Sequence, residues 1–588
     1  MSTKNLFFYF VTILLTALAV VPEPVGAQQP AKYWVQFKDK ADSPYSVLRP
    51  EEFLSPRALE LRRHHHIQVD EMDIPVNESY IRQVLALDPG MRLLTRSKWM
   101  NGITVYSDQD SILARVLELP CVVFAEQTVA MKYPETYLDS VFVFKPQGDV
   151  TQTIPSKWDY GTGDDQIRMN HAQWLHRLGY HGEGMLMMVM DAGFYHVDTL
   201  HFFRDLFKDN RVLGVRNYVQ MGRSPFGTGT HGTNVFSCIA SSSPGELMGT
   251  APMAMFYLCQ TEDGRSEHKV EEDNWVAGIE LADSLGCQVL NSSLGYTKFD
   301  DTMHVRTRDS LTGQVSRASR AATIAASKGM LVCNSAGNEG GGRWNYIGCP
   351  ADAEGILSVA AVNTKGKRAM FSSVGPTADG RLKPDVAAIG FGCYVGGING
   401  TVNPSAGTSF SSPIMAGMVA CLWQAFPNKS NYEIMDAVRA SGSQASQPDT
   451  ALGYGIPDFL KAYNYLRQPQ PKSFSIEFDA FDTQNDTIIF HVHANGDERF
   501  DFKRFSSSSV CLDPAMSSKI TIVEKQTITK TIDLERREIT KDTTRLYKIV
   551  FPRLKKKTPY LLFELEFEYN GEKLHYIVGQ EQHPKRKK

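Results

Sequence analysis

Hydrophobic positions follow three different patterns along the chain. In residues 32–128, Tyr33-Trp-Val-Gln-Phe, Gly102-Ile-Thr-Val-Tyr and Val122-Val-Phe-Ala read as strands, while Glu78–Leu87 and Ser111–Leu119 repeat apolar residues at helical spacing. Strand, helix, strand, helix, strand in under 100 residues predicts a small α+β domain. From 160 to 467 the apolar runs become continuous: Met185-Leu-Met-Met-Val-Met, Met255-Phe-Tyr-Leu-Cys, Cys287-Gln-Val-Leu, Met330-Leu-Val-Cys and Ile356-Leu-Ser-Val-Ala-Ala-Val. Strands that do not alternate belong to a parallel sheet covered on both faces. They interleave with helical segments at 231–240, 271–284, 317–328 and 411–426, which predicts a doubly wound, mostly parallel α/β domain. Beyond Pro471 the β-branched and aromatic runs Phe474-Ser-Ile-Glu-Phe, Thr487–His493, Lys519–Val523, Leu546–Phe551 and Tyr560–Phe567 predict an all-β sandwich over 470–588. Residues 129–159 carry turn formers and little periodicity, as a linker does.

The first 27 residues change the compartment. Leu6–Val21 is an apolar run of about 16 residues, short of the roughly 20 that a membrane span needs. Pro22 and Pro24 break it, and Val25-Gly26-Ala27 is a small-residue cleavage site, so residues 1–27 read as a secretory signal peptide. No later stretch is long and apolar enough to span a bilayer, which predicts an exported protein without a transmembrane segment after signal removal. The nine cysteines are odd in number and show no paired metal-binding spacing. Several, Cys259, Cys333 and Cys421 among them, sit in apolar runs as small hydrophobes, with one or two bridges left open. Lys+Arg 62 against Asp+Glu 65 gives a formal charge of −3, which argues for neither nucleic acid nor an anionic membrane surface as partner. With 42% hydrophobic and 22% charged residues, the 588-residue chain is not disordered.

In a doubly wound sheet, chemistry gathers where strands end and helices begin. Asp191 follows the run 185–190, His231 opens a small-residue helix in Gly229-Thr-His-Gly-Thr, and Ser409 opens another in Gly407-Thr-Ser-Phe-Ser-Ser-Pro. Asn334-Ser-Ala-Gly-Asn-Glu-Gly follows the run 330–333. Taken singly, Asp191 and Ser409 read as caps and His231 as a buried histidine. Taken together they supply a nucleophile, a base, an orienting carboxylate and, in Asn338, an oxyanion donor.

On these residues the chain resembles the subtilisin-like serine peptidases, the subtilases. The order Asp, His, Ser is that family's order. Asp191-Ala-Gly, His231-Gly-Thr and Gly407-Thr-Ser-Phe-Ser-Ser-Pro fit its three catalytic motifs, and Ala336-Gly-Asn-Glu-Gly fits its oxyanion segment. Ser293-Leu-Gly, Gly366–Pro376 and Lys383-Pro-Asp fit further family segments, so the resemblance covers about 300 residues. It implies a triad of Asp191, His231 and Ser409, with Asn338 in the oxyanion hole. Backbone of Ser293, Leu294 and Gly295 would pair with an extended substrate. Ser335, Ala336 and Gly337 would wall the specificity pocket, with Gly348 and Ala351 at its base; an apolar pocket for a large side chain is expected. Residues 28–128 are similar to the family's propeptide, which docks on the enzyme and inhibits it. The processing point then lies in 129–159. The arrangement is similar to exported subtilases of Bacteroidetes-type bacteria.

This implies an exported serine endopeptidase acting through an acyl-enzyme, made as a self-processing zymogen. Its partners are protein or peptide substrates and its own propeptide. No cofactor is required and no metal ligands are assigned; structural calcium is frequent in the family. Three positions depart from the family pattern: Ala192 lacks a hydroxyl beside Asp191, Asn234 replaces a histidine, and Ala406 replaces an asparagine. Glu262, Asp263, Glu271, Glu272 and Asp273 read as a solvated acidic face, with selection of basic substrate side chains as the alternative. His64-His-His66 lies beside Arg62-Arg63 with no nearby carboxylate, which disfavours metal binding. Lys585–Lys588 reads as a solvated tail. A non-enzymatic surface protein and an esterase on the same triad are the competing readings.

Overall fold

The computed structural model describes residues 30–467, except 110, 132–141, 156 and 302, and the strands at 474–478, 487–494, 506–511, 521–530, 542–550, 560–569 and 572–581. The signal segment 1–27, residues 132–141 and 156 of the linker and the basic tail 585–588 lie outside the described residues.

The N-terminal unit runs β1 (Ala31–Phe37), α1 (Pro56–His64), α2 (Glu78–Leu85), β2 (Arg92–Ser97), β3 (Gly102–Ser107), α3 (Ile112–Leu117) and β4 (Val122–Ala130). Its antiparallel sheet has the order β2-β3-β1-β4. The helices α1 and α2 start where Ser55 and Asn77 accept a backbone N–H, the usual capping chemistry of those residues. The strand β2 and helix α1 were not predicted. Five of the nine residues of α1 are arginine, histidine or glutamate, and its weak apolar stripe hides the helix in the sequence.

The central domain opens with the short helices α4 (Asp164–Arg168) and α5 (Gln173–Arg177). Its eight-stranded sheet uses β5 (Leu186–Asp191), β6 (Val212–Asn217), β9 (Met255–Gln260), β10 (Val289–Ser292), β11 (Leu331–Ser335), β12 (Leu357–Asn363), β13 (Val386–Gly396) and β14 (Val402–Ala406); β7 (Ser242–Ser243) and β8 (Leu247–Met248) form a small ladder of their own. The order is β14-β13-β12-β11-β10-β5-β9-β6, parallel except for the β13–β14 pair. Every residue of β5 is buried, as its unbroken apolar run predicts. One face is covered by α7 (Thr230–Ala240) and α10 (Thr408–Ala425), the other by α8 (Val270–Leu285) and α9 (Arg317–Ser327). Two C-terminal helices, α11 (Asn431–Ala440) and α12 (Phe459–Arg467), complete the domain.

The N-terminal unit docks on α8 and α9. Trp34, Trp99 and Met100 join the core cluster that holds Trp275 and Ile279 of α8. The Glu280 carboxylate accepts from Ser97 Oγ at 2.6 Å, Lys98 N at 2.7 Å and Trp99 N at 3.0 Å. Asp283 receives Arg62 at 2.7 Å and Lys98 Nζ at 2.6 Å. Glu126 of β4 is gripped by Lys269 at 2.7 Å and Arg317 at 2.5 Å, beside the starts of α8 and α9.

At the C-terminus, β15 (Phe474–Phe478), β16 (Thr487–Ala494), β17 (Ser506–Cys511), β18 (Thr521–Lys530), β19 (Asp542–Val550), β20 (Tyr560–Tyr569) and β21 (Glu572–Glu581) form two antiparallel sheets, β15-β16-β19-β18 and β17-β20-β21. The second sheet packs on the central domain. Asn464 of α12 bonds both the N–H and the carbonyl of Ile577 at 2.8 Å. Arg177 lies between the rings of Trp174 and Tyr560 and pairs with Glu581. Gly579 meets Trp174 so closely that a Cβ would fall 2.4 Å from the indole.

Candidate active site

Of the predicted residues, Asp191 and His231 meet directly, while Ser409 and Asn338 are linked through Thr408. Asp191 ends β5 and is fully buried. His231 stands in the first turn of α7, and its Nδ1–H donates to Asp191 Oδ1 at 2.7 Å. Gly232 permits that approach, since a Cβ there would sit 2.1 Å from the Gly193 carbonyl and 2.9 Å from Asp191 Cβ. The Asp191 charge, its hydrogen bond included, outweighs burial and raises the His231 pKa above its ordinary 6.5. Ala192 N also donates to Asp191 Oδ1. Oδ2 is buried and accepts no hydrogen bond among the described residues, a gap beside the position where Ala192 lacks a hydroxyl.

Ser409 opens α10, whose N-cap is Gly407. The His231 ring lies 6.1 Å from the ring of Phe410, the next residue. Ser409 Oγ is 3.5 Å from the Ser293 carbonyl, at the outer edge of hydrogen-bonding range. Asn338 follows β11, and its Oδ1 accepts from Thr408 N at 2.9 Å and Thr408 Oγ1 at 3.0 Å. With the carbonyl end of the amide so engaged, the Nδ2 end is the one left to meet a developing oxyanion. Thr408 therefore orients Asn338, a role the sequence did not suggest although Thr408 stands inside the Gly-Thr-Ser motif. A cavity of about 360 Å³ beside His231 is lined by Ala192, Gln220, Thr228, Gln260, Asp263 and Arg265.

Of the expected cleft residues, Gly295 is exposed, whereas Ser293, Leu294, Ser335 and Ala336 are buried. Gly337 N donates to Thr408 Oγ1, tying that segment to the start of α10. Tyr296 N bonds Cys349 O at 2.7 Å, which sets Gly348 and Ala351 near the Ser293–Gly295 segment. Beyond the linker residues outside the described set, Phe142 N donates to Gly222 O, close to the cavity wall.

The acidic stretch is not a solvated face. Glu262, Glu271, Glu272 and Asp273 are all buried. Their partners come from distant segments: Glu272 pairs with Arg306 and accepts Ser316 Oγ and Arg317 N, and Asp273 takes Arg317 Nε at 2.6 Å. Glu262 accepts from Tyr296 OH at 3.2 Å. The carboxylate oxygens of Glu262, Glu267 and Glu271 lie within 4.8 Å of one another, the one group of possible metal ligands among the described residues. Burial, then the neighbouring carboxylates, lifts Glu271 to about 8 and Glu267 to about 7. The histidine run is outside any such group; His65 packs on Trp423. Eight cysteines are free and buried, so none of the bridges left open by the sequence forms among them.

Residues 182–455 match the Subtilase family (Peptidase S8), and residues 32–138 match the Peptidase S8 propeptide domain of Bacteroidota. The chain is 30% identical to "Subtilisin" of Bacillus pumilus over 288 residues, which covers 48% of this chain and 90% of that protein. It is 30% identical over 288 residues to "Subtilisin NAT" of Bacillus subtilis subsp. natto, covering 48% and 65%. It is 28% identical over 312 residues to "Thermostable alkaline protease" of Halalkalibacterium halodurans, covering 52% and 73%. The chain thus spans just under two thirds of the length of Subtilisin NAT.

Proposed function

Because the chain belongs to the subtilase family, we propose that it is an exported serine endopeptidase synthesised as a self-processing zymogen. The observation that carries this reading is the pair of buried Asp191 and half-exposed His231 at 2.7 Å, facing the start of α10, where Thr408, the residue before Ser409, holds Asn338.

His231 takes the Ser409 proton as Oγ attacks the scissile carbonyl, then returns it to the leaving amine. Asp191 holds the imidazole in the required tautomer and stabilises the imidazolium. Asn338 Nδ2 and the Ser409 N–H, at the start of a helix, receive the oxyanion. Loss of one such side-chain donor in this family costs on the order of 10²–10³ in turnover. Water then attacks the acyl-enzyme by the same route, and no cofactor enters. An extended peptide adds as a strand along Ser293–Gly295. Ser335–Gly337 walls a pocket for a large apolar side chain.

The N-terminal unit acts as the propeptide, and cleavage falls in the linker after it. The C-terminal strands form a β-sandwich that stays with the enzyme. No described helix is long and apolar enough to cross a membrane, in keeping with release after signal removal. A fluorophosphonate probe is expected to label the processed protein, and Ser409→Ala to abolish labelling. Persistent labelling of Ser409→Ala refutes the assignment.

A further inference from the structure

Pro413 lies inside α10, four residues beyond Ser409. In an uninterrupted helix the Ser409 carbonyl would accept from the N–H of residue 413, but proline has none. A side chain from another element fills the gap: Ser293 Oγ donates to Ser409 O at 2.8 Å. Ser293 is itself set by its neighbours. Asn291 Nδ2 donates to Ser293 Oγ at 3.2 Å, and Asn291 Oδ1 accepts from Ser412 Oγ at 2.8 Å. Ser412 stands one turn after Ser409 on the same helix, so the hydrogen bonds close a ring: Ser409, Ser293, Asn291, Ser412 and back along α10. Asn291 and Ser412 are fully buried and Ser293 nearly so, which keeps water from competing for these groups.

We propose that the Ser293 side chain, oriented by Asn291 and Ser412, is a positioning group for the nucleophile, separate from the substrate pairing made by the Ser293–Gly295 backbone. The ring fixes the peptide that follows Ser409. The peptide that precedes it is held at its carbonyl, where Ser411 Oγ donates to Thr408 O at 3.0 Å, and the peptide before that is tied to the oxyanion segment, where Thr408 N donates to Asn338. The two peptides that flank Ser409 are thereby each held by a side-chain hydroxyl, Ser293 from outside the helix and Ser411 from within it, so Oγ and the Ser409 N–H keep a constant relation to His231 and Asn338. The helix-breaking proline makes this possible by freeing the carbonyl to bond the strand that carries substrate.

The inference rests on Ser409 being the nucleophile, and the test separates the two. The full chain is allowed to process, its active sites are counted with a fluorophosphonate, and kcat and KM are measured per active site. Ser293→Ala and Asn291→Ala are expected to lower kcat about tenfold with KM changed less than about twofold, as loss of one buried hydrogen bond would. Ser293→Thr keeps the hydroxyl and retains kcat. Adding Pro413→Ala to Ser293→Ala restores an N–H for the Ser409 carbonyl and is expected to recover most of the loss, which a merely structural role for Ser293 does not predict. Where Ser293→Ala does not accumulate, Ser412→Ala is read for the same fall in kcat. An unchanged kcat in a labelled alanine variant, a loss confined to KM, or no recovery with Pro413→Ala overturns the proposal. Absence of labelling in the parent protein instead overturns the assignment of Ser409.

Discussion

Glu280 is the most exacting point in the contact between the N-terminal unit and the enzyme. Its carboxylate ends the backbone N–H groups of Lys98 and Trp99 and holds the Ser97 hydroxyl, all in a buried seam. Glu280→Ala leaves the two N–H groups without a partner whenever the unit is docked. A buried donor left unsatisfied costs about 1–3 kcal/mol, so the two together cost about 2–6 kcal/mol. The Ser97 hydroxyl can turn toward another acceptor and is left out of the sum. At about 1.4 kcal/mol per factor of ten, docking weakens by about 30-fold to 10⁴-fold. None of this cost arises once the unit has left, so the mature enzyme keeps its kcat. The assay is the half-life of the complex between processed enzyme and its cleaved propeptide, followed by the appearance of peptidase activity. Glu280→Gln keeps an acceptor oxygen and should fall between parent and Glu280→Ala. A complex of Glu280→Ala that persists as long as the parent's would show that the seam does not depend on these bonds.

Three further outcomes are expected. The Asp191 charge raises the His231 pKa, so the imidazolium–carboxylate attraction is fully present below about pH 6.5 and is lost as pH rises through the raised value. Activity, which needs the neutral ring, then climbs only above that value; Asp191→Asn should move the limb to lower pH and cut kcat by about 10⁴. Burial, above all, lifts Glu280 to about 7 and Asp273 to about 6 in the docked state, against the pull of Lys98 and Arg317. Both are raised, so their contribution to docking is full below about pH 4 and fades as pH rises through 6 to 7; faster propeptide dissociation at pH 5 than at pH 8 would contradict this. Ala192→Ser offers a donor to the unsatisfied Asp191 Oδ2 and should stabilise the enzyme by about 1 kcal/mol, read as a rise of about 2 °C in Tm.

The central domain was readable where a strand is buried on both faces and its residues are large. The runs at 185–190, 255–259, 330–333 and 356–362 all became parallel strands within a residue or two. β6, β13 and β14 escaped notice. Val-Leu-Gly-Val-Arg-Asn is short and interrupted, Val386–Gly396 is broken by three glycines, and β14 contains Pro404 at a sheet edge. The helices α11 and α12 carry a clear apolar stripe and were passed over although that signal was present in the sequence. At the site, Asp191, His231, Asn338 and Ser409 were legible from motif and position, since each stands where a strand ends or a helix begins. Thr408 was visible as a letter and not as a role, because its contact with Asn338 spans 70 residues. The acidic stretch was misread for the same reason: Arg306, Arg317 and Tyr296 reach it only through the fold.

The closeness of Gly579 to Trp174 bears on how the protein can be shortened. A cut near residue 470, where the composition changes, looks like a clean domain boundary. It would remove β21 and uncover Trp174 and Leu460, which are buried against Leu562 and Ile577, and would leave both polar ends of the Asn464 amide without the Ile577 backbone. A minimal protease made that way would carry a new sticky face on the side of α5 and α12, and its losses would appear as aggregation rather than as a lower kcat. Polar replacements at Trp174 and Leu460 would have to accompany the cut.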